Sequence, residues 1–179
     1  MLPNNALERI KQTLRTIHDW PQKGVEFRDI TPVLQNAETF RLLIDLFAER
    51  YRESQIDVIV GIDARGFILG SALAYALGVG FVPARKKGKL PYNTIGENYT
   101  LEYGTACVEL HEDAVGHGQR VLVVDDLIAT GGTILATSKL VRRLGGHIVE
   151  VSAIIGLEDL HGVPLLEKNG LKVHTFLTF

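Results

Sequence analysis

Apolar residues recur with the spacing of an α-helix in two stretches near the start of the chain. The first predicts an amphipathic helix over residues 5–17, ended at Trp20 and Pro21, with apolar positions at Leu7, Ile10, Leu14 and Ile17. The second predicts a helix that begins after Asn36 as N-cap, with an apolar face of Phe40, Leu43, Ile44, Phe47 and Tyr51. Residues 24–32 have no clear period, so we expect a surface loop there, with Phe27 packed into the core.

Further along, short and nearly continuous apolar runs indicate strands buried on both faces, as in a parallel sheet. They cover residues 56–62, 81–84, 121–124, 147–155 and 171–177. Helical patterns separate them, over residues 67–77, from residue 133 to about residue 144, and in a short piece within residues 157–168. Strands that alternate with helices predict an α/β fold with a mostly parallel central sheet flanked by helices.

One long segment breaks this pattern. Residues 88–99 have few apolar side chains and several Gly, Pro and Asn residues, so we expect a long mobile loop there. Strands are expected beyond it, at residues 99–101 and 105–110, paired around a turn. Long loops inside compact domains are usually functional, and a basic run at residues 85–89 stands at the root of this one. The segment is therefore a candidate lid.

The most informative stretch is residues 121–133, with the sequence VLVVDDLIATGGT. A buried strand ends there at two adjacent carboxylates, Asp125 and Asp126. Glycines let backbone N–H groups approach an anion, threonine hydroxyls add donors, and a helix N-terminus carries partial positive charge. These features predict a phosphate site beside two carboxylates that would bind ribose hydroxyls. The phosphate site is formed by Ala129, Thr130, Gly131, Gly132 and Thr133.

Other phosphate-binding motifs are missing from the sequence. It contains neither G-x-x-x-x-G-K-[ST] nor G-x-G-x-x-G after a strand, which argues against a P-loop or dinucleotide fold. In open α/β sheets the ligand binds beyond the carboxyl ends of the strands, where residues 63–66, 85–89 and 125–133 should meet. That edge would carry enough positive charge for a pyrophosphate, from Arg65, Arg85, Lys86, Lys87 and Lys89.

Length, net charge and composition argue against several classes of protein. A length of 179 residues suits a single domain, and the net charge of −2 argues against a nucleic-acid surface. No apolar run approaches the roughly eighteen residues of a membrane span, and no signal segment stands at the N-terminus, so we expect a cytoplasmic protein. The single cysteine, Cys107, cannot form an internal disulfide and is expected to pack as a small apolar residue.

Residues 121–133 resemble the phosphoribosyl pyrophosphate (PRPP) motif of the type I phosphoribosyltransferases. Four further stretches are similar to the adenine phosphoribosyltransferases of that family: GVEFRDITP at 24–32, DARGF at 63–67, RKKGKLP at 85–91 and YTLEYG at 99–104. The resemblance covers nearly the whole chain. It implies one domain over residues 1–179, in which residues 1–35 form a helix and a hood over the base. It also implies purine salvage by a homodimer, with adenine and PRPP giving AMP and pyrophosphate.

The resemblance assigns roles to individual residues as well. Glu102 would approach N7 of the base as the acid–base residue, with Tyr103 beside it in the catalytic pair. The base would lie between Leu157 and the segment containing Val25, Phe27 and Arg28, with Phe27 stacked on it. Pyrophosphate would be held by three basic residues, Arg65, Arg85 and Lys89. Mg²⁺ would be the cofactor, bound mainly through PRPP oxygens.

Ala129 bears on the choice of base. An Asp often stands at this position in relatives that use 6-oxopurines, so Ala129 counts against hypoxanthine and guanine, although xanthine-type relatives can carry a small residue there. Two alternatives stay open: a phosphoribosyltransferase for another purine such as xanthine or hypoxanthine, and a non-catalytic PRPP-sensing regulator. A regulator would need an added DNA-binding module or a damaged lid, and the sequence contains neither.

Overall fold

The computed structural model describes Pro3, residues 5–100 and residues 104–179, with Thr100 as backbone only. It divides into two compact units, Met1–Arg50 and Tyr51–Phe179. The prediction of one domain over residues 1–179 stays a prediction, and Glu102 and Tyr103 lie outside the described residues. Within the described residues, no helix is both long and apolar enough to cross a bilayer.

The first unit contains a two-stranded hairpin that the sequence did not predict. Its elements are α1 (Ala6–Thr13), β1 (Arg15–His18), β2 (Glu26–Asp29), α2 (Thr31–Gln35) and most of α3 (Ala37–Tyr51). The predicted helix over residues 5–17 is therefore wrong beyond Thr13, because Leu14 is extended and Ile17 pairs with Phe27 across β1 and β2. Strand pairing has overridden the helical spacing of Leu14 and Ile17.

The predicted surface loop at residues 24–32 is also wrong, since it contains β2 and the start of α2. Phe27 is half-buried, and its ring meets the half-exposed Trp20 edge-on at 4.4 Å between centroids. At the hairpin's other end, Arg15 Nη2 lies 2.6 Å from Asp29 Oδ2, and Asp29 Oδ1 accepts the Thr31 N–H. Burial raises the pKa of Asp29, but its hydrogen bonds with Thr31 and the Arg15 guanidinium outweigh burial and leave that pKa below its ordinary value.

The predicted N-cap of α3 is confirmed. Asn36 Oδ1 accepts hydrogen bonds from the backbone N–H groups of Glu38 and Thr39, both at 3.0 Å. Two donors that have no partner within the helix are thereby satisfied, which fixes where α3 begins.

The second unit is built on a seven-stranded sheet with the order β5-β6-β4-β3-β7-β8-β9. Its strands are β3 (Val58–Ile62), β4 (Gly80–Lys86), β5 (Thr94–Thr100), β6 (Thr105–His111), β7 (Arg120–Ile128), β8 (His147–Gly156) and β9 (Val173–Thr178). Its helices are α4 (Arg65–Leu77), α5 (Gly132–Arg143), α6 (Gly162–Lys168) and a 3₁₀ turn at Glu158–Leu160. Strands β3, β4, β7, β8 and β9 run parallel to one another. Strand β6 runs antiparallel to its two neighbours, β4 and β5. The predicted α/β fold with a mostly parallel sheet is confirmed.

The middle strands are buried on both faces, as their continuous apolar runs predict. Alternate residues such as Val60 and Val123 belong to the same core cluster as Leu140 of α5. Ile59 points the other way, towards Gly70 of α4. Helices therefore cover both faces of the sheet, and the carboxyl ends of β3, β4 and β7 lie side by side between them.

The predicted loop at residues 88–99 is wrong over its second half. Strand β5 begins at Thr94 and pairs with β6 along its full length, so only residues 87–93 lack helix or strand structure. The side chains of Ile95 and Tyr99 pack against the core, and polar neighbours hide this alternation in the sequence. On the same face, Glu97 lies 3.1 Å from Lys139 Nζ and 3.5 Å from Arg143 Nη1 of α5.

Candidate active site

Three clefts open side by side at the carboxyl ends of β3, β4 and β7, and Asp125 lines all of them. The phosphate cradle has a volume of about 100 Å³ and is lined by Asp125, Leu127 and residues 129–134. The basic cleft, of about 120 Å³, is lined by Ile62, Asp63, Ala84, Arg85, Lys86, Tyr99, Val108, Asp125 and Thr133. The acidic cleft, of about 340 Å³, is lined by residues 63–65, residues 125–127 and Ala129. The three stretches that the sequence predicts to meet are therefore neighbours.

The phosphate cradle is the turn that leads from β7 into α5. Gly131 is the N-cap of α5 and has φ of +77°, a left-handed conformation that glycine adopts without strain. The turn rests on the start of α6, where a Cβ on Gly162 would overlap the carbonyl oxygen of Ala129. Backbone N–H groups at the α5 N-terminus and the Thr130 and Thr133 hydroxyls supply donors for an anion.

The two carboxylates of the site lie within β7, which runs on to Ile128 and does not end before them as the sequence predicted. Consecutive strand residues point to opposite faces, so Asp125 and Asp126 have different surroundings. Asp126 is 4% exposed, and its Oδ2 lies 2.6 Å from Arg65 Nε of α4. This contact is an ion pair in which the N–H does not point directly at the oxygen.

Asp125 is the electrostatically unusual group of the site. Burial, and then the negative charge of Asp126, raise the pKa of Asp125 well above its ordinary value, while the Arg65 guanidinium acts in the opposite direction. Its Oδ1 accepts the backbone N–H of Asp126 at 2.8 Å. The charged form of Asp125 would therefore be stabilised by hydrogen-bond donors of a ligand.

The basic cleft is organised by an ion pair between two neighbouring strand ends. Arg85 Nε lies 3.2 Å from Asp63 Oδ2, and Arg85 Nη1 donates to the carbonyl oxygen of Lys89 at 3.0 Å. Lys86 lines the same cleft. The Lys89 side chain is exposed. Arg65 lines the acidic cleft and Arg85 lines the basic cleft, so each cleft contains positive charge.

The remaining predicted site residues lie in three different parts of the chain. Leu157 is half-buried, and its N–H donates to the carbonyl oxygen of Ile128 at the end of β7, which places it beside the site. The base-binding residues predicted in the first unit lie on β2 or directly before it: Val25, Phe27 and Arg28. Arg28 pairs there with Glu26 at 2.8 Å. The predicted catalytic pair, Glu102 and Tyr103, falls outside the described residues.

The structure adds two residues to the predicted set. Asp63 lines both the acidic and the basic cleft, and Tyr99 lines the basic cleft. Asp63 could have been found from its position directly after a buried strand. Tyr99 could not, because the sequence predicts it only as the boundary between a loop and a short strand, and its place in the cleft depends on the pairing of β5 with β6.

Comparison with known proteins agrees with this geometry. A family model described as phosphoribosyl transferase domain matches residues 29–173. The chain is 57% identical to an adenine phosphoribosyltransferase of Bordetella avium over 172 residues, covering 96% of this chain and 94% of the relative. The chain belongs to the adenine phosphoribosyltransferase family. The resemblance that residues 121–133 and the four other stretches indicated is therefore confirmed.

Solved adenine phosphoribosyltransferases share the whole fold. That of Thermoanaerobacter pseudethanolicus superposes with a TM-score of 0.92 at 47% identity, over 97% of this chain and 99% of the other. The enzyme of Saccharomyces cerevisiae superposes with a TM-score of 0.91 at 38% identity, over 98% of this chain and 100% of the other. That structure is a complex with D-2,5-dideoxy-2,5-imino-altritol 1,6-bisphosphate and adenine. The type I phosphoribosyltransferase fold predicted from the sequence is confirmed.

Proposed function

We propose that this chain transfers the 5-phosphoribosyl group of PRPP to adenine, giving AMP and pyrophosphate in purine salvage. The observation that carries the proposal is the junction of three clefts at Asp125, which offers a phosphate cradle, carboxylates and cations to one ligand. PRPP has the three matching parts, a 5-phosphate, ribose hydroxyls and a pyrophosphate. Membership of the adenine phosphoribosyltransferase family supports the choice of base.

Each part of PRPP has a set of residues suited to it. The phosphate cradle, with Ala129, Thr130, Gly131, Gly132 and Thr133, binds the 5-phosphate, and Asp125 and Asp126 bind the ribose hydroxyls. Arg65, Arg85 and Lys89 stabilise the negative charge that grows on pyrophosphate as its bond to the ribose breaks. Glu102, with Tyr103 beside it, shares a proton with N7 of the base as N9 attacks the ribose carbon. The last assignment rests on family resemblance.

Mg²⁺ fits this site as a cofactor held mainly by the substrate. Three carboxylates line the acidic cleft, Asp63, Asp125 and Asp126, and carboxylate oxygens suit Mg²⁺. Within residues 5–100 and 104–179, no three acidic, His or Cys side chains converge as a metal site, so most ligands would be PRPP oxygens and water. When bound, the ion neutralises charge on the departing pyrophosphate.

We expect adenine to be the preferred base, because Ala129 offers no carboxylate to a 6-oxopurine and because Val25, Phe27, Arg28 and Leu157 match the family's base-binding segments. A spectrophotometric assay with PRPP and Mg²⁺ should show fast turnover of adenine and little of hypoxanthine, guanine or xanthine. Comparable turnover of any of these three would instead favour the alternative of another purine base. Binding of PRPP without turnover of any base would favour the non-catalytic regulator.

We propose that residues 90–93, the part of the predicted lid that has no helix or strand structure and follows the hydrogen-bonded turn at residues 86–89, close over bound PRPP. Hydrogen exchange in this segment should slow when PRPP and Mg²⁺ are added. Strand β5 provides an internal control, because its amides already pair with β6 and should change less. Equal exchange in residues 90–93 with and without ligand would mean that the segment is a connection and not a lid.

The family resemblance also supports a homodimer and a cytoplasmic location for this chain, and both are part of the proposal. Adenine, PRPP, AMP and pyrophosphate are the ligands it implies. No nucleic acid or membrane takes part in the proposed reaction.

A further inference from the structure

The turn that follows β4 carries three lysines beside the basic cleft. Lys89 N–H donates to the Lys86 carbonyl oxygen at 3.2 Å, which closes a four-residue turn with Gly88 at φ of +75°. Lys86 lines the cleft, and all three lysine side chains, Lys86, Lys87 and Lys89, are exposed. Three like charges on so short a turn repel one another, and a negative charge nearby reduces that repulsion.

Glu109 of β6 provides that charge from behind the turn. It is 8% exposed, and its Oε2 accepts the backbone N–H of Gly88 at 2.8 Å. It stands opposite Arg85 in the β4–β6 pairing, while its neighbour Val108 lines the cleft from the other face of the strand. A buried carboxylate is costly to desolvate, and the hydrogen bond from the Gly88 N–H offsets part of that cost for Glu109.

We propose that Glu109 is a positioning residue for pyrophosphate. It does not touch the substrate. It fixes the turn at residues 86–89 through its hydrogen bond with the Gly88 N–H. The fixed turn holds two groups at the edge of the basic cleft: Lys86, and the Lys89 carbonyl oxygen that accepts a hydrogen bond from Arg85. This inference rests on the proposed function, because pyrophosphate is the part of PRPP assigned to that cleft.

Two substitutions separate the hydrogen bond from the charge. Glu109→Ala removes both and is expected to raise the KM for PRPP about tenfold or more, the scale of a lost hydrogen bond to a charged group. Glu109→Gln keeps an acceptor oxygen and should give a smaller rise. The KM for adenine should stay unchanged in both. Calorimetry with inorganic pyrophosphate and Mg²⁺ should show the same order of affinities without any turnover.

Glu112→Gln is the matched control, because Glu112 is an exposed glutamate just beyond the same strand, and it should leave both KM values unchanged. Thermal unfolding of every variant reports on folding, and Glu109→Gln remains informative if Glu109→Ala does not fold. A purely structural role would lower the melting temperature and leave the KM for PRPP and the pyrophosphate affinity unchanged, which would overturn the inference. Wild-type protein that does not turn over PRPP would instead count against the proposed function.

Discussion

Glu102→Gln is expected to lower kcat by about 10²–10⁴-fold, the usual contribution of a general acid–base group. Attack by N9 leaves the purine ring short of electrons unless a proton is shared at N7, and a glutamine amide cannot exchange that proton. The affinity for PRPP should hardly change, because the lost interaction forms mainly in the transition state. Steady-state kinetics with adenine as the varied substrate, together with calorimetry of PRPP binding, measures both quantities.

The control for this experiment is Glu112→Gln, which makes the same chemical change at an exposed position and should retain normal kcat. If Glu102→Gln also keeps a near-normal kcat, the carboxyl at position 102 is not needed for the reaction. Backbone groups and exclusion of water would then have to account for the rate.

The double change Asp125→Asn and Asp126→Asn is expected to weaken PRPP binding by about tenfold or more for each carboxylate. A hydrogen bond to a charged group contributes about 1.5–3 kcal/mol, which corresponds to that loss of affinity. Asn keeps the shape of each side chain and an oxygen that can still accept the Asp126 N–H. Calorimetry with PRPP and Mg²⁺ measures the change, and Asp113→Asn at an exposed position is the control.

The raised pKa of Asp125 predicts a second measurable effect, on the stability of the ligand-free protein. Substitution of Asp125 should increase that stability while it decreases the affinity for PRPP. Because the folded-state pKa lies above the unfolded value of about 3.9, the stability associated with the protonated form is fully present below that value. It is lost as pH rises through the raised pKa. Asp125→Asn alone should therefore raise the melting temperature of the ligand-free protein at neutral pH while it weakens PRPP binding. Unchanged PRPP affinity in a folded double variant would show that the two carboxylates have a structural role only.

The contiguous parts of the site were predictable from sequence. The phosphate cradle follows β7 within a few residues, so its glycines, its threonines and the two carboxylates form one local pattern that needs no knowledge of tertiary contacts. The order of strands and helices was predictable for the same reason, because each parallel strand is a short apolar run with a helix after it.

The parts that depend on distant pairing were not predictable. Leu14 and Ile17 have helical spacing with the earlier apolar residues, but the chain after Thr13 pairs with β2. Strand β5 looks like a loop because Gly96 and Asn98 interrupt it, and its pairing with β6 is what makes it a strand. The hydrogen bond from Gly88 to Glu109 spans 21 residues, so neither residue indicates the other in the sequence.

Gly162 has a consequence for how the chain could be divided into fragments. The phosphate cradle comes from β7 and α5, but the surface on which its turn rests belongs to α6, because only a residue without a side chain fits against Ala129 there. A cut within residues 157–161 would leave one fragment with the cradle and the other with its support. Reassembly of two such fragments, each fused to one member of a binding pair, would restore the cradle only when the pair associates, so AMP production would become a reporter of that association.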